Sequence, residues 1–249
     1  MTGASGAGAA SGERAQTAVV GVAILLGLTV VAIGGLTATT GSIVEDGAAS
    51  AAATRVASDL ETALGPSPGP RATTVALAAG SVRVVNRSVW VLDADGVVWA
   101  GHAGAIVYDD DGHRVTGFAG AVVRSDDRGD RVVAPSRIAP ANGTLYLGVP
   151  VLNASGADGV ATGGHRLSVT LRTDARTERI DLPRSTYRVA VETATPAAWE
   201  RHLRERGATA TTRRDIDGDG VTAVVAAFPS QRTAHLVVRD VRLAVEVGQ

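Results

Sequence analysis

An α+β fold is what this sequence predicts: a long N-terminal helix, then a mostly antiparallel β domain that carries one short helix. Three observations predict it. Residues Ala15 to Val44 carry no charge. Ala49, Ala53, Val56, Leu60 and Leu64 recur in three- and four-residue steps, the period of a helix with one apolar face. From Ser81 onward the period becomes two, with short apolar runs separated by Asp- and Gly-rich turns, as strands require.

The elements follow in order. Residues 1–15 form a short polar leader that ends in Glu13-Arg14-Ala15. Residues 16–64 read as one helix. Its first half, centred on Ala18 to Ile33, is apolar on every face and long enough to span a bilayer, which takes about 20 residues. Its second half keeps one apolar stripe, with Arg55, Ser58, Asp59 and Glu61 on other faces. Gly65-Pro66-Ser67-Pro68-Gly69-Pro70 stops the helix, because proline removes backbone donors, and residues 65–80 read as a linker. Residues 81–249 read as a β-rich domain. Asp93-Ala-Asp-Gly96 and Asp109-Asp-Asp-Gly112 supply hairpin turns between strands bearing Val82, Val84, Val89, Val91, Val97, Trp99, Ile106 and Tyr108. Further strands are expected around 120–124, 131–134, 144–152, 166–173, 186–193, 221–228 and 235–247. One helix interrupts them: Thr195 at the cap, Pro196 at the first position and Gly207 at the close, with Trp199 and Leu203 turned to the sheet.

Composition narrows the function. Hydrophobic residues make up 45% of the 249 and aromatics only 3%, so a core is available and must rest on Val, Leu, Ile and Ala. The net charge of -1, without a basic run, argues against a nucleic-acid partner. The absence of cysteine excludes disulfides, thiolate metal sites and a cysteine nucleophile. No nucleophile elbow, phosphate loop or dinucleotide fingerprint occurs, so no enzyme is expected.

The N-terminal order is informative. A secretory signal is cut after its apolar stretch, whereas here the charged and small residues Arg14-Ala15 stand before it, ahead of Gln16. That arrangement resembles the leader cut by prepilin-type peptidases. The stretch from Gly12 to Gly35 resembles the N-terminus of haloarchaeal type IV pilin-like and archaellin-like proteins, with weaker likeness at Gly104–Tyr108 and Leu145–Val151. The resemblance implies cleavage between Ala15 and Gln16, a retained helix that packs with like subunits, and display at the surface. Many pilins carry Glu at the fifth mature position; here that position is Val20. Gly27, Gly34 and Gly41, seven apart, would place small residues along one helix stripe, where helices approach closely.

Other motifs are shorter. Asn86-Arg-Ser88, Asn142-Gly-Thr144 and Asn153-Ala-Ser155 are glycosylation acceptors on an exported domain. Asp215-Ile-Asp217-Gly-Asp219-Gly220 matches the first half of a calcium loop. Its twelfth position is Ala226, without the bidentate carboxylate, and an Asp-Gly hairpin explains the same residues. No cofactor is expected, with calcium at Asp215, Asp217 and Asp219 as the alternative. The expected function is a type IV pilin-like surface protein, anchored at the cell membrane by a single span with its C-terminal domain outside, and assembling into a filament. The alternatives are a non-polymerising anchored binding domain and an exported hydrolase. The expected partners are the membrane, like subunits and a prepilin-type peptidase.

Overall fold

The computed structural model describes residues 46–65, 69–77, 79–153, 162–163 and 167–248. The chain divides into two compact units, Met1–Ala48 and Ala49–Gln249. Of the first, only residues 46–48 are described, and they are helical.

The second unit is mostly β. Helix α1 covers residues 46–64 and ends at Gly65, ahead of the prolines. A five-stranded sheet follows the order β1 (Arg71–Leu77), β10 (Leu167–Ser185), β14 (Arg232–Gly248), β8 (Thr144–Asn153) and β7 (Arg137–Ala141). A nine-stranded sheet follows the order β12 (Ala210–Arg214), β13 (Ala223–Ala227), β11 (Arg188–Glu192), β2 (Ser81–Leu92), β3 (Val97–Asp110), β4 (His113–Phe118), β5 (Ala121–Asp126) and β6 (Gly129–Ala134). The short β9 (Thr162–Gly163) lies against the start of β2. Pairing is antiparallel throughout except between β14 and β8, which run parallel from Thr233↔Thr144 to Arg242↔Asn153.

The turns form for the reasons read in the sequence. Asp93 accepts the backbone N–H groups of Asp95 and Gly96 at 2.9 and 3.1 Å, which closes the β2–β3 hairpin. Asp111 and Gly112 both have positive φ, +37° and +80°, as a two-residue β3–β4 hairpin requires.

Side-chain parity divides the core. On β2, Val89 and Val91 join one cluster with Phe118, Leu145, Leu147, Val189 and Leu236. Val82 and Val84 point the other way, into a cluster with Ile106, Tyr108, Val115 and α1. Helix α1 contributes Ala53, Val56, Ala57, Leu60, Ala63 and Leu64 to that second cluster. Arg55, Ser58 and Glu61 are exposed, so the stripe seen in the sequence is the face that packs. Gly117 on β4 lets the helix lie close: a Cβ there would stand 2.7 Å from Leu64 Cδ1. Arg124 on β5 ties the helix further, donating to Thr54 Oγ1 and Ser50 Oγ at 2.7 Å each. It also faces Asp126, which Arg131 holds through two hydrogen bonds at 3.0 and 2.8 Å.

Helix α2 (Pro196–Glu205) forms where expected, and Trp199 and Leu203 are buried against the first cluster. Thr195 sits at the cap without a side-chain cap bond; Thr193 Oγ1 instead accepts the Thr195 N–H at 3.0 Å.

The expected α+β class is corrected, because the described residues are mostly strand, and the membrane expectations are corrected with it. A long N-terminal membrane helix is not seen: the described helix at this end spans residues 46–64, and no helix among the described residues is long and apolar enough to cross a membrane. The described helix corresponds to the amphipathic second half of the expected one. Asp46, Arg55, Asp59 and Glu61 interrupt its surface, and its apolar face is already covered by the sheet. The transmembrane assignment and the single-pass membrane localisation drawn from it fall with that helix. The uncharged run to Val44 lies outside the described residues. Within the stretch expected to be a linker, residues 71–77 form strand β1 and pair with β10.

Candidate functional site

The strongest concentration of unusual chemistry lies where β11 meets β13. Strand β11 reads Arg-Val-Ala-Val-Glu, with its last four residues buried. Glu192 ends it, only 2% exposed. Its Oε2 accepts the backbone N–H of Ser88 at 2.7 Å, just past the last paired residues of β11 and β2, Val191 and Val89. Its Oε1 has no hydrogen-bond partner. A buried carboxylate oxygen left without a partner is costly, so this one calls for an explanation.

The loop before β13 comes to the same place. Residue pairing sets Glu192 opposite Ala223, the first residue of β13, and Thr193 donates its N–H to Thr222 O at 2.9 Å. That register brings the preceding Asp217-Gly-Asp219 segment over the end of β11. One carboxylate oxygen each from Glu192, Asp217 and Asp219 lie within 4.8 Å of one another. Asp217 and Asp219 are exposed. Burial pushes the Glu192 carboxyl pKa up, and the charges of Asp219 and Asp217 push it further.

Within the loop the aspartates divide their work. Asp215 organises the turn, accepting Gly218 N–H at 2.8 Å and Gly220 N–H at 3.0 Å. Asp219 accepts the N–H of Val221 at 2.7 Å through Oδ1. Of the three aspartates read in the sequence, Asp217 and Asp219 come together and Asp215 stands in the turn instead. The residue that sequence reasoning missed is Glu192. The missing carboxylate was sought at position 226, along the chain, whereas a neighbouring strand supplies one. A signal existed: one acidic residue closes the otherwise apolar run Val189-Ala190-Val191.

A second buried polar pair is closed. His202 Nε2 accepts the Ser136 N–H at 3.2 Å and lies 2.8 Å from Ser136 Oγ, with both residues buried. Accepting at Nε2 fixes the ring as neutral with its proton on Nδ1, and burial lowers its pKa. This pair staples α2 to the connection between β6 and β7.

The remaining residues singled out in the sequence do not converge here. Asn86 is exposed on β2, and Asn142 is exposed in the β7–β8 turn with φ +49°. Asn153 ends β8. Arg14, Ala15, Gln16, Gly27, Gly34 and Gly41 lie outside the described residues.

Residues 14–244 match DUF7289, a family of unknown function. The chain belongs to that family. The DUF7289 match takes in the uncharged run, α1 and both sheets, so a single family unit joins the apolar N-terminal segment to the β module. No curated protein and no solved structure matches this DUF7289 chain.

Proposed function

We propose that this chain is an assembling structural subunit of the type IV pilin-like kind, cut between Ala15 and Gln16 by a prepilin-type peptidase. The uncharged segment then packs against copies of itself, and the β module is the displayed part. The observation that carries this reading is the docking of α1: its described residues, 46–64, follow closely on the uncharged run in sequence and bury their apolar stripe in a cluster with residues of both sheets. The uncharged segment thus leads directly, along the chain, into a helix packed on the β module, as an assembling subunit needs. The family match from residue 14 adds support, because it treats the apolar run and the β module as one unit.

The test is made on the full-length chain expressed in a cell that holds a prepilin-type peptidase. The mature protein is expected to begin at Gln16 and to pellet as extended assemblies. Replacing Gly27, Gly34 and Gly41 together by Leu should leave the N-terminus unchanged and abolish the pellet, because bulky side chains block close approach. A product that keeps Met1 and sediments as a monomer overturns the proposal.

A further inference from the structure

We propose that Glu192, Asp217 and Asp219 form a divalent-cation site of the calcium class, built across two strands. It stands apart from the assembly proposal and rests on different residues.

The first observation is convergence. Three carboxylate oxygens lie within 4.8 Å of one another. Oxygens bound to calcium sit at about 2.3–2.6 Å from the ion, so two on opposite sides stand about 4.6–5.2 Å apart. The grouping fits one ion. The second observation is independent of the exposed aspartates. Glu192 is only 2% exposed, and its Oε1 has no protein partner. The other carboxylate oxygen is held by Ser88 N–H at 2.7 Å, which fixes the side chain's direction. A buried, oriented and unsatisfied acceptor beside two more carboxylates is a ligand waiting for a positive charge.

The donor set selects the ion. All three donors are carboxylates, and hard oxygen donors suit calcium rather than zinc or copper, which favour nitrogen and sulfur. Asp215 organises the Asp-rich loop through the backbone N–H groups of Gly218 and Gly220, and Val221 N–H holds Asp219 Oδ1, so the loop that presents Asp217 and Asp219 to an ion is already shaped. Solvent completes the shell, because both aspartates are exposed. With three protein carboxylates the affinity belongs with the weaker extracellular sites, on the order of 10⁻⁴–10⁻³ M. In this arrangement the ion cross-links the end of β11 to the loop before β13 and stiffens the junction of those two strands.

The competing resolution is a proton shared among the carboxylates, and the experiment separates the two. The full-length protein is stripped with a chelator, then titrated with calcium chloride at neutral pH by calorimetry, and its thermal unfolding is followed alongside. Wild type is expected to bind one calcium, with a midpoint rise of about 3–6 °C at roughly tenfold over the dissociation constant. Asp217→Asn with Asp219→Asn, both at exposed positions, should weaken binding at least tenfold while the protein stays folded. Glu192→Gln should do the same. In the chelated state it should unfold at the same or a higher temperature than wild type, because a buried repelling charge is gone. Absence of binding at millimolar calcium overturns the site and leaves the shared proton. Wild-type affinity in either variant overturns it as well.

Discussion

Arg124 on β5 donates a hydrogen bond of 2.7 Å from Nη1 to Thr54 Oγ1 on α1. The same guanidinium reaches Ser50 Oγ at 2.7 Å and faces Asp126 at 3.4 Å, so one side chain joins helix, strand and hairpin end. Arg124→Met keeps the aliphatic stem and removes these bonds. It should destabilise the fold by about 1–3 kcal/mol, read from urea unfolding. A double-mutant cycle with Thr54→Val assigns the part carried by this pair. A coupling near zero would show that the bond contributes nothing.

Gly117 gives a steric test of the same contact. Its missing Cβ would stand 2.7 Å from Leu64 Cδ1. Gly117→Val should cost about 1–3 kcal/mol through overpacking. Adding Leu64→Ala should recover part of that loss, because it vacates the space the valine needs. If the two losses simply add, α1 does not lie against β4 at this point.

His202 sets a pH dependence. Its pKa is lowered from the ordinary 6.5, chiefly by burial and further by Arg206, while Glu205 opposes. The unfolded chain therefore takes up the proton first as pH falls. The stabilisation from neutral His202 is fully present above 6.5 and is lost progressively below it. Melting temperatures of wild type and His202→Gln between pH 8 and 5 should show the steeper fall in wild type. Parallel curves would place the titration elsewhere.

Asp126 acts in the same direction at lower pH. The hydrogen bond from Arg131 is the largest influence holding its pKa down to about 2, against 3.8 ordinarily. Its contribution is present above 3.8 and disappears as pH falls toward 2. A carboxyl carbon titration by NMR should show a midpoint near 2 for Asp126, moving back toward the ordinary value in Arg131→Met. A wild-type midpoint near 4 would show that the ion pair does not hold in solution.

What could be read from the chain follows the periods. Val56, Leu60 and Leu64 announce the buried face of α1 because a helix repeats them on one side. The turns at Asp93–Gly96 and Asp111–Gly112 announce themselves through the backbone conformations that Asp and Gly tolerate. Residues 176–185 of β10 gave no such signal. Most of them are exposed, so no apolar alternation marks the strand, and backbone pairing with β14 builds it. Strand β1 was hidden by the prolines before it, although Val75 and Leu77 are buried. Glu192 stands out at the end of an apolar run, but its pairing with Asp217 and Asp219 depends on the register of β11 against β13, which no local pattern encodes.

The position of β14 has a consequence for biosynthesis. It lies between β10 and β8 and, of the strands in its sheet, comes latest in chain order. While the ribosome is still making it, β1 with β10 and β7 with β8 are two unjoined pairs whose inner edges have nothing to bond. Vectorial synthesis therefore leaves those edges open to neighbouring nascent chains until residues 232–248 emerge.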